Sequence, residues 1–131
     1  MEGMLDKGGV SMTIMATFKA DGDSVVSTTT WTSVGSKDFT LNYDNSFVIF
    51  ISAEYSTSNK NNIAGIRVLL DGVEKSFSHR SPAVADQFMT YTTILIEDMV
   101  SGLHNLTLEA RTANASYPVT VRRKRMVVMQ H

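Results

Sequence analysis

Apolar residues recur at every second position through most of this chain, and no stretch of useful length repeats with the period of a helix. The strongest run is Phe47, Ile49, Ile51, Ala53 and Tyr55, alternating with Val48, Phe50, Ser52 and Glu54. Successive side chains of a strand point to opposite sides, so one face of this segment is a continuous apolar strip. The other face begins apolar and turns polar, which predicts a strand that leaves the core. A polar loop, Ser56 to Asn62, separates it from Ile66, Val68 and Leu70. Asp71-Gly72 is a strong hairpin signal, because glycine adopts positive φ without steric cost and aspartate tolerates it better than most residues. Val73, Lys75 and Phe77 lead away from that turn, and Ser81 to Asp86 breaks the alternation as a loop or one short helical turn. Further strands are predicted at Met89–Glu97, rich in Thr, Tyr and Ile, and around Leu106, Leu108 and Ala110. Tyr117 opens a long last strand, and two short ones lie upstream at Ser24–Trp31 and Phe39–Leu41.

The last strand has a conflict of phase. Val119 and Val121 fall on odd positions, Met126 and Val128 on even ones. A regular strand buries one set and exposes the other. One extra residue flips the alternation, so a β-bulge is predicted within Arg122 to Arg125. With about eight strands and frequent turns, the chain is expected to be all-β: an antiparallel β-sandwich, with a barrel as the neighbouring solution.

The chain has 131 residues, the size of one domain, with 43% hydrophobic and 19% charged residues, as a folded chain requires. Residues 1–11 read as a flexible arm containing Gly3, Gly8 and Gly9, and 12–131 as a single sandwich domain. There is no apolar central segment of a secretory signal in 1–11 and no run long enough for a membrane helix, so no membrane contact is expected. A net charge of −1 gives no global attraction to nucleic acid. With no cysteine, disulfides, thiol catalysis and thiolate metal sites are excluded.

The order Trp31-Thr32, Phe39-Thr40-Leu41, the apolar strand at Phe47 and Arg67-Val68-Leu69-Leu70-Asp71-Gly72-Val73 resembles small jelly-roll domains of tailed-phage virion proteins. Gly102-Leu103-His104-Asn105-Leu106-Thr107-Leu108 resembles one of their strands. Val119 to Val128 resembles their closing strand, where basic residues precede a hydrophobic end. The resemblance covers about residues 24 to 129. Related sandwiches occur in tumour-necrosis-factor-like trimers and carbohydrate-binding modules. The resemblance implies a jelly roll acting as a fibre, tail or head-decoration component. It would assemble in the host cytoplasm, with copies of itself, as a trimer, and with other virion proteins as partners. A carbohydrate- or receptor-binding module is the alternative.

Residue chemistry gives few competing sites. Arg122-Arg123-Lys124-Arg125 is the one dense charge run, and is the candidate assembly contact. It lacks the interleaved aromatics of a nucleic-acid surface, and the ordinary alternative is a bulged strand paired with acids such as Asp71 or Glu74. Trp31, Tyr43 and Tyr55 are candidates to stack on a surface glycan, and Tyr91 is a fourth aromatic of this kind; filling a sandwich core is the commoner use. His104, in phase with Leu106 and Leu108, is expected to be packed and hydrogen-bonded to a turn rather than to act as a base. His79 and His131 are isolated, and nothing has metal-ligand spacing. Asp21-Gly22-Asp23 supplies too few oxygens for calcium. No nucleophile elbow, phosphate loop or dinucleotide fingerprint is present, so no cofactor and no catalysis are expected.

Overall fold

A computed structural model describes residues 13–130. Among them run nine strands and no helix: β1 (Thr13–Ala20), β2 (Ser24–Val26), β3 (Thr32–Leu41), β4 (Asn45–Thr57), β5 (Ala64–Leu70), β6 (Val73–Arg80), β7 (Met89–Met99), β8 (Gly102–Thr112) and β9 (Val119–Gln130). β1 is the strand beyond the expected eight. Its sequence, Thr-Ile-Met-Ala-Thr-Phe-Lys-Ala, lacks a clean alternation because its register shifts between Ile14 and Ala16. The arm assigned to 1–11 lies outside the described residues. No helical turn forms at Ser81 to Asp86; this loop stays irregular.

The strands form two antiparallel sheets. One has the order β1-β9-β4-β7, with β2 also on β9, and the other β3-β8-β5-β6. Four antiparallel pairs are nested in sequence: β5 with β6, β4 with β7, β3 with β8, and β1 and β2 with β9. Alternate pairs fall in opposite sheets. That is a long hairpin rolled on itself, the jelly-roll form of the sandwich. Its tip is Asp71-Gly72, with φ of 52° and 80°, the positive values that the tight turn needs.

The core lies between the sheets. Phe47, Ile49, Ile51, Ala53 and Tyr55 of β4 all face it, as do Ile66 and Val68 of β5 and Leu106, Leu108 and Ala110 of β8. β4 therefore does not leave the core at its polar end. The apolar start of its other face, Val48 and Phe50, belongs to the outer surface. Tyr55 is fully buried, its hydroxyl 3.0 Å from Ser78 Oγ, and Tyr91 donates to Ser76 Oγ at 2.8 Å. Both tyrosines thus link the first sheet to edge strand β6, and neither is presented to a sugar.

The bulge predicted in β9 is present. Ser52 pairs with Arg125 and Glu54 with Arg122, so two steps on β4 match three on β9. Arg123 takes the extra place with φ of 50°. Val119 and Val121 on one side of it and Met126 and Val128 on the other are all buried. Lys124 also points inward, where its ammonium donates to Ser24 Oγ. Burial lowers its pKa, and the nearby charge of Asp23 acts the other way.

At one end of the sandwich a polar knot closes the loops. Asn62 is buried, and its Nδ2 lies 2.7 Å from Thr57 Oγ1, 2.8 Å from Thr112 Oγ1 and 3.2 Å from the Tyr117 carbonyl. It joins the β4–β5 loop to the β8–β9 loop. Asn62→Leu should lower unfolding free energy by about 1–3 kcal/mol, read by urea denaturation, since it leaves buried acceptors unmatched. Removing Arg123 should leave a regular β9 with every core residue still inward, and the variant should fold. Removing Val127 shifts the residues on one side of it to the wrong face. Circular dichroism of the two deletions distinguishes them, and equal loss of structure would refute this account of the bulge.

Candidate functional site

The two outer faces of the sandwich differ in chemistry. On the β3-β8-β5-β6 sheet, cross-strand pairing lines up Arg111 (β8), Gly65 (β5) and His79 (β6) in one row. The next row is Ser33, Glu109, Arg67 and Phe77. Trp31, just before β3, lies against both rows: its ring centroid is 4.4 Å from the Arg111 guanidinium carbon, 4.5 Å from that of Arg67 and 5.7 Å from the His79 ring. Guanidinium groups at this distance are held by the π-cloud of the indole. Arg67 is also bound by Glu109 at 2.7 Å and Glu74 at 3.2 Å. Arg111 Nη2 lies 3.2 Å from His79 Nε2. Beside this cluster is a groove of about 420 Å³ over Gly65, lined by Thr29, Ile63, His79, Arg111, Thr112 and Ala113.

On the β1-β9-β4-β7 sheet the outer face is apolar at one end. One row is Ile14, Met129, Val48 and Ile96, and the next is Thr17, Val127, Phe50 and Ile94. Ile14, Ile94 and Ile96 are 61%, 62% and 75% exposed. The row after that turns polar, with Lys19, Arg125, Ser52 and Thr92. Seven apolar side chains in two adjacent rows make a contiguous patch rather than singly scattered residues.

The basic run is divided by the bulge. Arg122 Nε donates to Glu54 Oε1 at 2.8 Å and its guanidinium lies 3.5 Å from the centroid of Phe88. Arg123 reaches the other oxygen of Glu54 at 3.3 Å, Arg125 pairs with Asp21, and Lys124 is buried. The acids that meet the run are therefore Glu54 and Asp21, not Asp71 and Glu74. The Arg122 hydrogen bond holds the Glu54 carboxyl below its ordinary pKa, and that of Arg125 does the same for Asp21. Because alternate residues of a strand diverge, four adjacent charges do not make one basic face.

The aromatic candidates are not brought together either. Tyr43 is half exposed, and its hydroxyl donates to Gln130 Oε1 at 2.6 Å. It lies just past the end of β3 and Trp31 just before its start, roughly 30 Å apart at the rise of a strand. Sequence alone pointed to Trp31 but not to Arg67, His79 or Arg111. Their shared outward phase was readable within each strand; the register that sets them side by side was not.

His104 is packed at the start of β8, as expected, and stacks on Phe39 with centroids 5.7 Å apart. An acid does face it: Nδ1 is 2.7 Å from Asp71 Oδ2, and Nε2 is 2.7 Å from the Val100 carbonyl. Asp71 Oδ1 also accepts from the Asn105 amide at 2.8 Å. The hairpin tip is thereby fastened to the strand beside it. No group of three potential metal ligands occurs among the described residues.

No family model matches the chain, and no curated protein matches it in sequence. Its likeness to solved structures is one of fold. A protein of infectious bursal virus derived T=1 particles aligns at a TM-score of 0.64 and 14% identity, over 98% of this chain and 35% of that one. The chain thus spans about a third of that protein's length. The C-terminal domain of EclA, a sugar-binding protein, aligns at 0.56 and 9% identity, over 82% of this chain and 78% of that one. The CBM36-1 domain of a multidomain xylanase from the hindgut metagenome of Trinervitermes trinervoides aligns at 0.50 and 12%, covering 89% and 90%. The same sandwich thus occurs in a virus particle and in carbohydrate-binding domains.

Burial disfavours a charged His104, but the hydrogen bonds to Asp71 and Val100 and the Asp71 charge outweigh it and raise the imidazole's pKa. A group that binds its proton more tightly when folded stabilises the fold fully below its unfolded pKa, about 6.5 for histidine. That contribution is lost as pH rises through the folded value. Melting temperature should therefore fall as pH is raised from about 6.5, and Asp71→Asn should flatten the decline. An unchanged slope in this variant would remove the pair from the account.

Proposed function

We propose that this chain is a structural component of a virus particle, working through assembly contacts and not through catalysis. The observation that carries the reading is the apolar outer face of β1-β9-β4-β7. Four strands about 4.8 Å apart and two rows about 6.8 Å apart give a footprint of roughly 260 Å². A standard interface covers roughly 800 Å² on each partner. The patch is the right size for the dry centre of such an interface, with Thr17, Lys19, Ser52, Thr92 and Arg125 as its polar rim.

The occupant we assign is a second copy of this chain. Apolar surface of this extent favours association by leaving water, and repeated copies are how a particle is built. The fold-level likeness to a protein of virus particles supports the same reading. The particle would be that of a bacteriophage or related virus, assembled in the host cytoplasm, and the assembly unit is expected to be a trimer. The second reading, a carbohydrate-binding module, is favoured by the groove over Gly65 on the opposite sheet, lined by Arg111 and His79, and by the fold it shares with sugar-binding domains. Both faces are able to act in one protein.

Light scattering on a sizing column tests the assembly reading. The protein should run as a homo-oligomer, and Ile94→Lys with Ile96→Lys should convert it to a folded monomer. A monomeric unaltered protein, or an oligomer indifferent to both lysines, would sink the reading.

A further inference from the structure

We propose that the groove over Gly65 binds an acidic carbohydrate, with Arg111 as the receptor for the sugar's carboxylate. This inference does not rest on assembly through the opposite sheet. The groove has the size of a small-molecule site and mixes the surfaces that sugars need. Ile63, 46% exposed, and Ala113 offer an apolar wall for the C–H face of a ring. Thr29 and His79 supply groups that exchange hydrogen bonds with hydroxyls.

Charge decides between a neutral and an acidic ligand. Arg67 is engaged by Glu109 and Glu74. Among the described residues no carboxylate lies within ion-pair distance of Arg111, and the groove wall carries no acid. Among the described residues its guanidinium has no carboxylate bound to it, and it lines an open groove. It is also held in place, with the Trp31 ring on it at 4.4 Å and His79 Nε2 at 3.2 Å. A fork that is already oriented loses less entropy when it takes a carboxylate in two hydrogen bonds. Trp31 acts here as a positioning residue. With two guanidinium groups against its ring, it is not a free platform for a neutral sugar.

Gly65 is the second observation. Glycine inside a strand weakens it and marks a close approach. A Cβ at this position would lie 2.9 Å from His79 Cδ2 and 3.1 Å from Arg111 Cγ. Any larger residue would push apart the two side chains that line the groove and fill its floor.

The test is an NMR titration of the full chain, labelled with nitrogen-15, against sialyllactose, digalacturonate, lactose and sodium sulfate. At least one acidic sugar should shift the amides of Ile63, Gly65, Arg111 and Ala113, with lactose and sulfate at least tenfold weaker. A response to sialyllactose alone or to digalacturonate alone supports the proposal and identifies the sugar class. Arg111→Gln should weaken binding at least tenfold. Ile63→Asp, on an exposed wall and so harmless to folding, should do the same by repelling the carboxylate. The proposal is overturned if no acidic sugar shifts these amides, if sulfate binds as tightly, or if both variants bind as the unaltered chain does. None of these outcomes depends on the oligomeric state, which is read separately.

Discussion

One extra residue in β9 is the constraint on which the rest of the structure depends. β9 is the hub of its sheet, paired along its length with β1, β2 and β4. Its two apolar halves are out of phase, and a regular strand would bury one and expose the other. Placing Arg123 in a left-handed conformation lets both halves face the core. The same kink turns Lys124 inward, where the Ser24 hydroxyl meets its ammonium. A non-glycine residue at positive φ costs about 1–3 kcal/mol, and the burial of Val119, Val121, Met126 and Val128 offsets it.

Nested antiparallel pairing then leaves little freedom. Each pair is fixed by the one inside it, back to the Asp71-Gly72 tip, so an error of register at the tip would spread through both sheets. Polar fastenings sit where such slippage would begin. Asp71 holds both the ring of His104 and the amide of Asn105, and Asn62 ties two loops at the opposite end. Tyr55 and Tyr91 reach across from one sheet to serines on β6, the edge strand of the other.

A rolled sandwich has two outer faces, and here each took a different character. One gathers apolar side chains from four strands into a solvent-exposed patch. The other gathers indole, guanidinium and imidazole beside a groove. Chemistry placed back to back in this way allows a subunit to hold a neighbour on one side and a ligand on the other without competition. The three arginines of the basic run, conspicuous in sequence, are paired with Glu54 and Asp21.

Much of the fold was legible in the residues themselves. Alternation along Phe47 to Tyr55, the Asp71-Gly72 turn and the broken phase between Val121 and Met126 follow from local geometry, because a strand's period is a property of the backbone. β1 was not legible, since its register shift breaks the alternation that would have revealed it. The candidate site was legible only at Trp31. Tyr55 has the same aromatic chemistry as Tyr43, yet Tyr55 shares the inward phase of Phe47 to Ala53 and is buried, while Tyr43 lies in the bend past β3 and is half exposed. Arg67 and Arg111 are distant in sequence, and only the register of β5 against β8 makes them neighbours. The sequence by itself determined that this chain is built of strands and that the last one is bulged. The tertiary structure alone decided which side chains meet on each face, because pairing between distant strands is set by the packing of the whole core.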